Sequence, residues 1–190
     1  MFRFLALALA LALATLQAAE LPRKAPEFTI HLLGGKQVEL SSYRGKVVAL
    51  AFILTTCPHC QNTTQILMRA QKDFARRFQV LESTVEVGGE GMLPRFLDQF
   101  RPPFPVGFNA FAEAQEFMQH SPMLIMHMPG LLFLDRQGRI VAQYEGDDPF
   151  MSEDKQEENI RAKIEKLLKA GAAEDGRAQI IQRRERREKR

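Results

Sequence analysis

Tryptophan is absent from this 190-residue chain, and cysteine and tyrosine occur only twice each. Two cysteines cannot staple a disulfide-dense mini-protein, so the fold must rest on its own apolar core. A lone Cys pair also supplies only two of the four ligands of a structural zinc site, and no second pair exists. Glycine and proline show no collagen-like period, and there is no internal repeat or low-complexity core segment. What the chain has in quantity is apolar: 45% of its residues are hydrophobic against 26% charged, which suits one globular domain and excludes disorder throughout. The formal net charge is +3, with the excess at the two ends and a nearly neutral middle. That is a poor basis for nucleic-acid binding, and none is expected.

Arg3 precedes an uncharged Leu/Ala run from Phe4 to Leu16, followed by Gln17-Ala18-Ala19-Glu20. The run falls short of the ~20 residues a bilayer core needs. A positive start, an apolar stretch and small residues read together as a secretory signal peptide over 1–19. Membrane contact is expected only through that segment if it is not cleaved. Export to the periplasm or an equivalent compartment would place both cysteines where disulfides form and persist. At the other end, Ala170-Gly171-Ala172-Ala173 closes a helical pattern, and 173–190 reads as a charged, solvated, flexible tail. One domain over 20–172, expected to be monomeric, lies between.

Within it, Phe28 to Leu33 and Lys36 to Leu40 flank Gly34-Gly35 as a hairpin. Lys46 to Leu54 is a continuous apolar run suited to a strand buried on both faces. Apolar residues then recur at helical spacing from Pro58 to Phe78. Gln79 to Val87 predicts a strand, Met92 to Phe100 a helix, Pro105 to Phe108 a strand and Ala110 to Gln119 a helix. Leu131 to Asp135 and Arg139 to Glu145 predict two strands joined by a turn, and Ser152 is placed as N-cap of a last helix with the stripe Ile160, Ile164, Leu167, Leu168. The alternation implies an α/β sandwich around a mixed sheet.

Cys57-Pro58-His59-Cys60 falls where the buried strand hands over to the long helix. Pro58 suits the first helical position, which needs no N–H. Cys57 then sits beside unpaired N–H groups at the positive end of the helix, where a thiolate is favoured. Cys60, one turn on, lies on the same side and can close a disulfide with it. Cys57 is the expected nucleophile and Cys60 the resolving thiol, with His59 and Pro58 as tuning residues. A bridge across so short a loop constrains the unfolded chain very little, which weakens a purely structural reading.

These residues, with Met128-Pro129 just ahead of Leu131-Leu132-Phe133-Leu134-Asp135 and with Gly138-Arg139-Ile140-Val141 after it, resemble the thioredoxin fold. Pro26-Glu27-Phe28-Thr29, Gly35-Lys36, Leu40-Ser41 and Gly45-Lys46-Val47-Val48 look like the TlpA/ResA-like exported thiol-disulfide oxidoreductases, over about Pro26 to Ala170. The resemblance implies a three-layer sandwich with a mixed central sheet and an N-terminal hairpin. It also implies a cis-proline at Pro129, with Met128, Pro129 and Thr56 lining a groove for substrate backbone. Protein thiols and disulfides and an upstream redox donor or acceptor are the implied partners, with no cofactor. Reduction of exported protein disulfides, with apocytochrome c as a candidate substrate, is the family-based reading of function. Three departures from the pattern stand out: Thr56 where Trp is frequent before the first Cys, Ala51 where thioredoxin carries a buried acid, and Gly130 where Thr or Ser commonly follows the Pro.

Two other readings compete. Met118, Met123, Met126, His127 and Met128 crowd the segment before Pro129, and Met128 or His127 could join the Cys pair in a Cu(I) site for copper delivery. The plainer reading of those methionines is core and groove packing. Peroxidase chemistry of the peroxiredoxin kind would need a Thr three residues before the reactive Cys, where this chain has Leu54.

Overall fold

The computed structural model describes residues 20–188. The expected signal segment, 1–19, lies outside them. Eight strands form one mixed sheet: β1 (Arg23–Lys24), β2 (Thr29–His31), β3 (Gln37–Glu39), β4 (Val47–Ile53), β5 (Phe78–Thr84), β6 (Val106–Phe108), β7 (Gly130–Leu134) and β8 (Arg139–Tyr144). Their order is β1-β8-β7-β4-β5-β6-β2-β3, with β4, β5 and β6 parallel and β7 antiparallel to β4. Four helices cover it: α1 (Pro58–Phe74), α2 (Gly89–Phe100), α3 (Phe111–Met118) and α4 (Gln156–Glu188). None of the described helices is long and apolar enough to cross a membrane.

The layering follows from side-chain alternation along the central strand, because successive residues point to opposite faces. Val47, Ala49, Ala51 and Ile53 pack with Ile66, Leu67 and Ala70 of α1, Leu93 and Phe96 of α2 and Ile160, Ile164 and Leu168 of α4. Val48, Leu50 and Phe52 pack with Ala114, Phe117 and Met118 of α3 and with Phe28 and Leu40. All seven residues of β4 are buried, as the unbroken apolar run predicts. This is the expected thioredoxin-like sandwich, and its N-terminal hairpin, β2–β3, pairs beyond β6.

Several boundaries differ from the sequence expectation. Helix α1 ends at Phe74, and Phe78 opens β5, because the chain reverses through Arg76-Arg77 with Arg77 N–H on the Phe74 carbonyl. Ser152 ends a short 3-10 turn, Pro149–Met151, that Asp148 caps, and α4 starts four residues later. That helix then continues through Ala170-Gly171-Ala172-Ala173, where the pattern was expected to close, as far as Glu188. Gly171 packs its bare Cα against Arg136, which donates to the Gly171 carbonyl, so the apparent breaker is a contact point inside a helix.

Gly107 in β6 is where β2 comes closest to the sheet. A Cβ there would run into the His31 carbonyl and meet Ile30 Cγ2 at 2.5 Å. Gly107→Ala is therefore expected to lower stability by about 1–3 kcal/mol, read as a reduced urea midpoint with unchanged slope. Gly91→Ala, in α2 with open space around it, should be neutral or stabilising by up to about 1 kcal/mol.

Candidate redox site

Strand β4 delivers the chain to Leu54, and a turn through Thr55-Thr56 starts α1. Both backbone groups of Thr55 are held by side chains: Glu86 Oε1 accepts its N–H at 2.8 Å, and Gln61 Nε2 donates to its carbonyl at 2.8 Å. Cys57 is the N-cap of α1 with Pro58 directly after it, and its Sγ accepts the Cys60 N–H at 3.4 Å. The expected juxtaposition is thus built by helix capping, a sulfur standing where an Asp or Ser oxygen would usually satisfy the first N–H groups.

Both cysteines are free thiols, Cys57 partly exposed and Cys60 buried. Cys60 Sγ accepts the Leu54 N–H at 3.4 Å. Burial pushes the Cys60 thiol well above the usual thiol range, against the Leu54 hydrogen bond, with Cys57 and Glu82 adding to the rise. The two sulfurs are therefore unequal: one is reachable by substrate, the other is kept protonated inside.

Glu82 is the functional group that the sequence reading missed. Ala51 leaves the thioredoxin acid position without a carboxyl, but Ala51 is the direct partner of Glu82 across the β4–β5 pair. The acid has moved one strand over. Glu82 is fully buried, and burial raises its pKa to about 8, with Thr64 opposing. Thr64 Oγ1 stands 2.8 Å from Glu82 Oε1 and 3.1 Å from the Cys60 carbonyl. A hydroxyl has a single proton and the carbonyl can only accept, so both contacts are hydrogen bonds together only when the carboxyl carries its own proton. Oε2 has no partner among the described residues. A lone acid inside an otherwise apolar and small-residue strand, Val80-Leu81-Glu82-Ser83-Thr84, was the available signal.

His59 points its Nε2 at the Met151 carbonyl, 3.0 Å away, with Gln156 Nε2 at 3.2 Å. Gln156 is buried and also ties Asn62 and Thr63 to the start of α4. Only Nδ1 of His59 is then left to act on Cys57. The Met128–Pro129 bond is cis, as expected. Gly130 pairs with Phe52, so continuing that register sets Pro129 abreast of Ile53 and Met128 abreast of Leu54. Thr56 is exposed at the lip of a cleft of about 400 Å³ that Met92, Arg95 and Phe96 of α2 also line.

The departure at Gly130 has a packing cause: a Cβ there would meet Met118 Sδ at 2.7 Å and Met126 Cε at 3.0 Å. Met118 and Met126 are buried core residues and Met123 is exposed. His127 pairs through Nδ1 with Asp147 at 2.9 Å, and its N–H goes to Glu145 Oε2. Glu145 gives its other oxygen to His120 at 2.7 Å. Of the residues in the copper reading, Met128 is the one that packs against the core cluster that holds Cys60. His127, Glu145 and Asp147 do bring ligand atoms within 4.8 Å of one another, but both Glu145 oxygens are already hydrogen-bonded.

With this geometry in place, comparison with known proteins is decisive for ancestry: the AhpC/TSA family pattern matches residues 21–146. The chain belongs to the AhpC/TSA family. Its relatives include proteins named as thiol-disulfide oxidoreductases. It is 22% identical over 128 residues to thiol-disulfide oxidoreductase ResA of Bacillus thuringiensis subsp. konkukian, covering 67% of this chain and 71% of that protein. Among solved structures, a Chlorobium tepidum protein assigned as thiol:disulfide interchange protein DsbE shares 28% identity, with a TM-score of 0.60 over 75% of this chain and 96% of that one. The exposed lipoprotein thioredoxin Etrx1 of Streptococcus pneumoniae shares the fold at 18% identity, with a TM-score of 0.59 over 75% of this chain and all of that one. This AhpC/TSA member is a thiol-disulfide oxidoreductase of the ResA/DsbE type, and protein thiols are its partners.

Two tests follow from the local geometry. Glu82 titrates near 4.5 when unfolded and near 8 when folded, so the native chain holds the extra proton between those values. The stability this contributes is complete below about 4.5 and is lost as pH rises through about 8. Glu82→Gln should flatten that decline, by a few kcal/mol on the order of magnitude, in urea midpoints taken at pH 5 and pH 8.5. Separately, a Cβ on Gly146 would strike the Met128 carbonyl. Gly146→Ala should slow exchange with a protein disulfide about tenfold or more, while alkylation of Cys57 by a small maleimide changes little.

Proposed function

We propose that this protein is an exported reductant of protein disulfides that works through Cys57 and Cys60, with apocytochrome c before haem attachment as a candidate substrate. The observation that carries the reading is the inequality of the two sulfurs at one helix end. Cys57 is partly exposed and its Sγ accepts the Cys60 N–H, whereas Cys60 is buried one turn behind it.

In the first step Cys57 thiolate attacks one sulfur of the substrate disulfide. A Cys57–substrate S–S bond forms, the substrate S–S bond breaks and one substrate thiolate leaves. Cys60 then loses its proton and attacks Cys57 Sγ, which releases the second substrate thiolate and closes the Cys57–Cys60 disulfide. The substrate gains two electrons and the protein loses two, to be restored by an upstream dithiol. Glu82, hydrogen-bonded through Thr64 to the turn that holds Cys60, is a positioning and proton-holding group for the second step. In its ionised form it is a buried base one hydroxyl away from the Cys60 carbonyl. His59 tunes the pair from the α4 side, and Met128, Pro129 and Thr56 form the groove for substrate backbone.

Export is supported by the signal-like sequence of 1–19 and by the ResA and exposed-lipoprotein relatives. Leu54, three residues before Cys57, and a resolving thiol only one turn away favour exchange over peroxide turnover.

Cys57→Ser should abolish insulin reduction. Cys60→Ser should instead trap a mixed disulfide through Cys57, and mass spectrometry of the trapped species in the source cell should identify an exported protein with a cysteine pair. Retained insulin reduction in Cys57→Ser, or capture only of cytoplasmic proteins, would overturn the reading.

A further inference from the structure

The modest net charge conceals a separation of charge between the two ends of the sheet. Strands β4 and β5 run toward the redox site, so the segments ahead of them lie at the opposite end, together with the β7–β8 turn and Lys24 of β1, which pairs with Arg139. Six cations in this half of the molecule, Lys24, Lys46, Lys72, Arg76, Arg77 and Arg101, have no carboxylate in salt-bridge range among the described residues. All but Lys46, which is half-buried, are exposed. Most acids nearby are engaged elsewhere, Glu27 with Arg44, Asp73 with Arg161, Asp135 with Arg139 and Asp175 with Arg136, which leaves the exposed Asp98, in the last turn of α2, to offset the cations. Helix α4 passes this end at Gly171 and Arg136 and continues beyond. The sequence from 176 to 190 adds seven Lys or Arg against two Glu. The end that carries Cys57 is acidic on balance, with Glu86, Glu90, Glu145, Asp147 and Asp148 on the segments that follow β5 and β8 against Arg95 in the cleft beside Thr56.

We infer that the basic end is a docking surface for an anionic phospholipid bilayer, which holds the protein with Cys57 facing away from the membrane. The shape of the patch selects this occupant. From β1 through β8, β7 and β4 to β5 it spans five neighbouring strands, about 19 Å across at ~4.8 Å per strand. Its cations come from β1, the turn before β4, the C-terminal end of α1 and the end of α2, a spread wider than a phosphate-sized ligand would require. A groove of about 550 Å³ lies between Lys72 and Arg101, walled also by Met68, Ala75 and Pro103, but Lys24, Lys46, Arg76 and Arg77 stand outside its lining. The field as a whole therefore matches a planar, diffuse polyanion, and each such residue near an anionic leaflet strengthens partition by about fivefold. The acidic redox end is repelled by the same surface, so charge alone sets the orientation. This inference concerns placement and does not depend on the direction of electron flow.

The test is sedimentation of the full chain with vesicles of phosphatidylcholine alone and of phosphatidylcholine mixed with phosphatidylglycerol. The apolar run at the N-terminus would add equally to both, so the difference between them reads charge. The expected result is preferential binding to the anionic vesicles that weakens as salt shortens the screening length. Lys72→Glu/Arg76→Glu/Arg77→Glu should reduce that preference by about tenfold or more. Insulin reduction by this variant should match the parent chain, which establishes that it is folded. The rate at which a bulky maleimide alkylates Cys57 should be unchanged by vesicle binding. Equal binding to both vesicle types, an undiminished preference in the folded triple variant, or protection of Cys57 on the vesicle would each overturn the inference. So would retention of the chain by an RNA oligonucleotide without any preference for anionic vesicles.

Discussion

The N–H of Cys60 reaching back to the sulfur of Cys57 is the contact on which the site depends. It exists because β4 ends in the protein interior and α1 begins at once, so the first helical N–H groups have no upstream turn to bond to. Any capping atom there inherits both a donor and the positive end of a helix. When that atom is sulfur, the structural requirement to cap a helix and the chemical requirement to favour a thiolate are met by one residue. Glu86 and Gln61, clamping the two backbone groups of Thr55, keep the cap from drifting.

A dithiol works only if its members differ, and here the difference comes from depth. Moving one turn along α1 carries the second sulfur into the core that β4 shares with the helix, where desolvation holds its proton. Such a thiol resolves a mixed disulfide only when that proton can leave. Glu82, itself reluctant to ionise, is a buried group close enough to act on the Cys60 thiol. Cys60 and Glu82 are both buried weak acids, and ionising either makes ionising the other harder, so the resting pair holds both protons.

How much of this was legible in the sequence depends on whether a feature is local. The unbroken apolar run of β4, the Pro at the first helical position and the Cys spacing are local patterns, and each is found where expected, as is the cis Pro129 that the family resemblance implies. Glu82 was not legible because its meaning depends on register: it replaces the acid missing at Ala51 only because those two residues face each other across neighbouring strands. Gly130 is similar, its lack of a side chain being set by Met118 and Met126 from other segments. The long α4 was misread for the same reason in reverse. A Gly-Ala cluster looks like a helix stop in isolation, but Gly171 is required by the approach of Arg136, and the helix passes through it.

The two ends of the molecule share one electrostatic cause. Helix α1 lies with its N-terminus at the Cys pair and its C-terminus beside Lys72, Arg76 and Arg77. Its aligned peptide dipoles favour negative charge at the first end and positive charge at the second. A sulfur that must ionise and a cluster of cations without carboxylate partners are therefore both placed where the helix field accommodates them. Moving the redox pair to the other end would set a thiolate against the negative pole, while moving the basic cluster to the Cys pair would set cations against the positive one. The separation of charge that bears on membrane placement is thus continuous with the geometry that activates Cys57, because both are read along the axis of the same seventeen-residue helix.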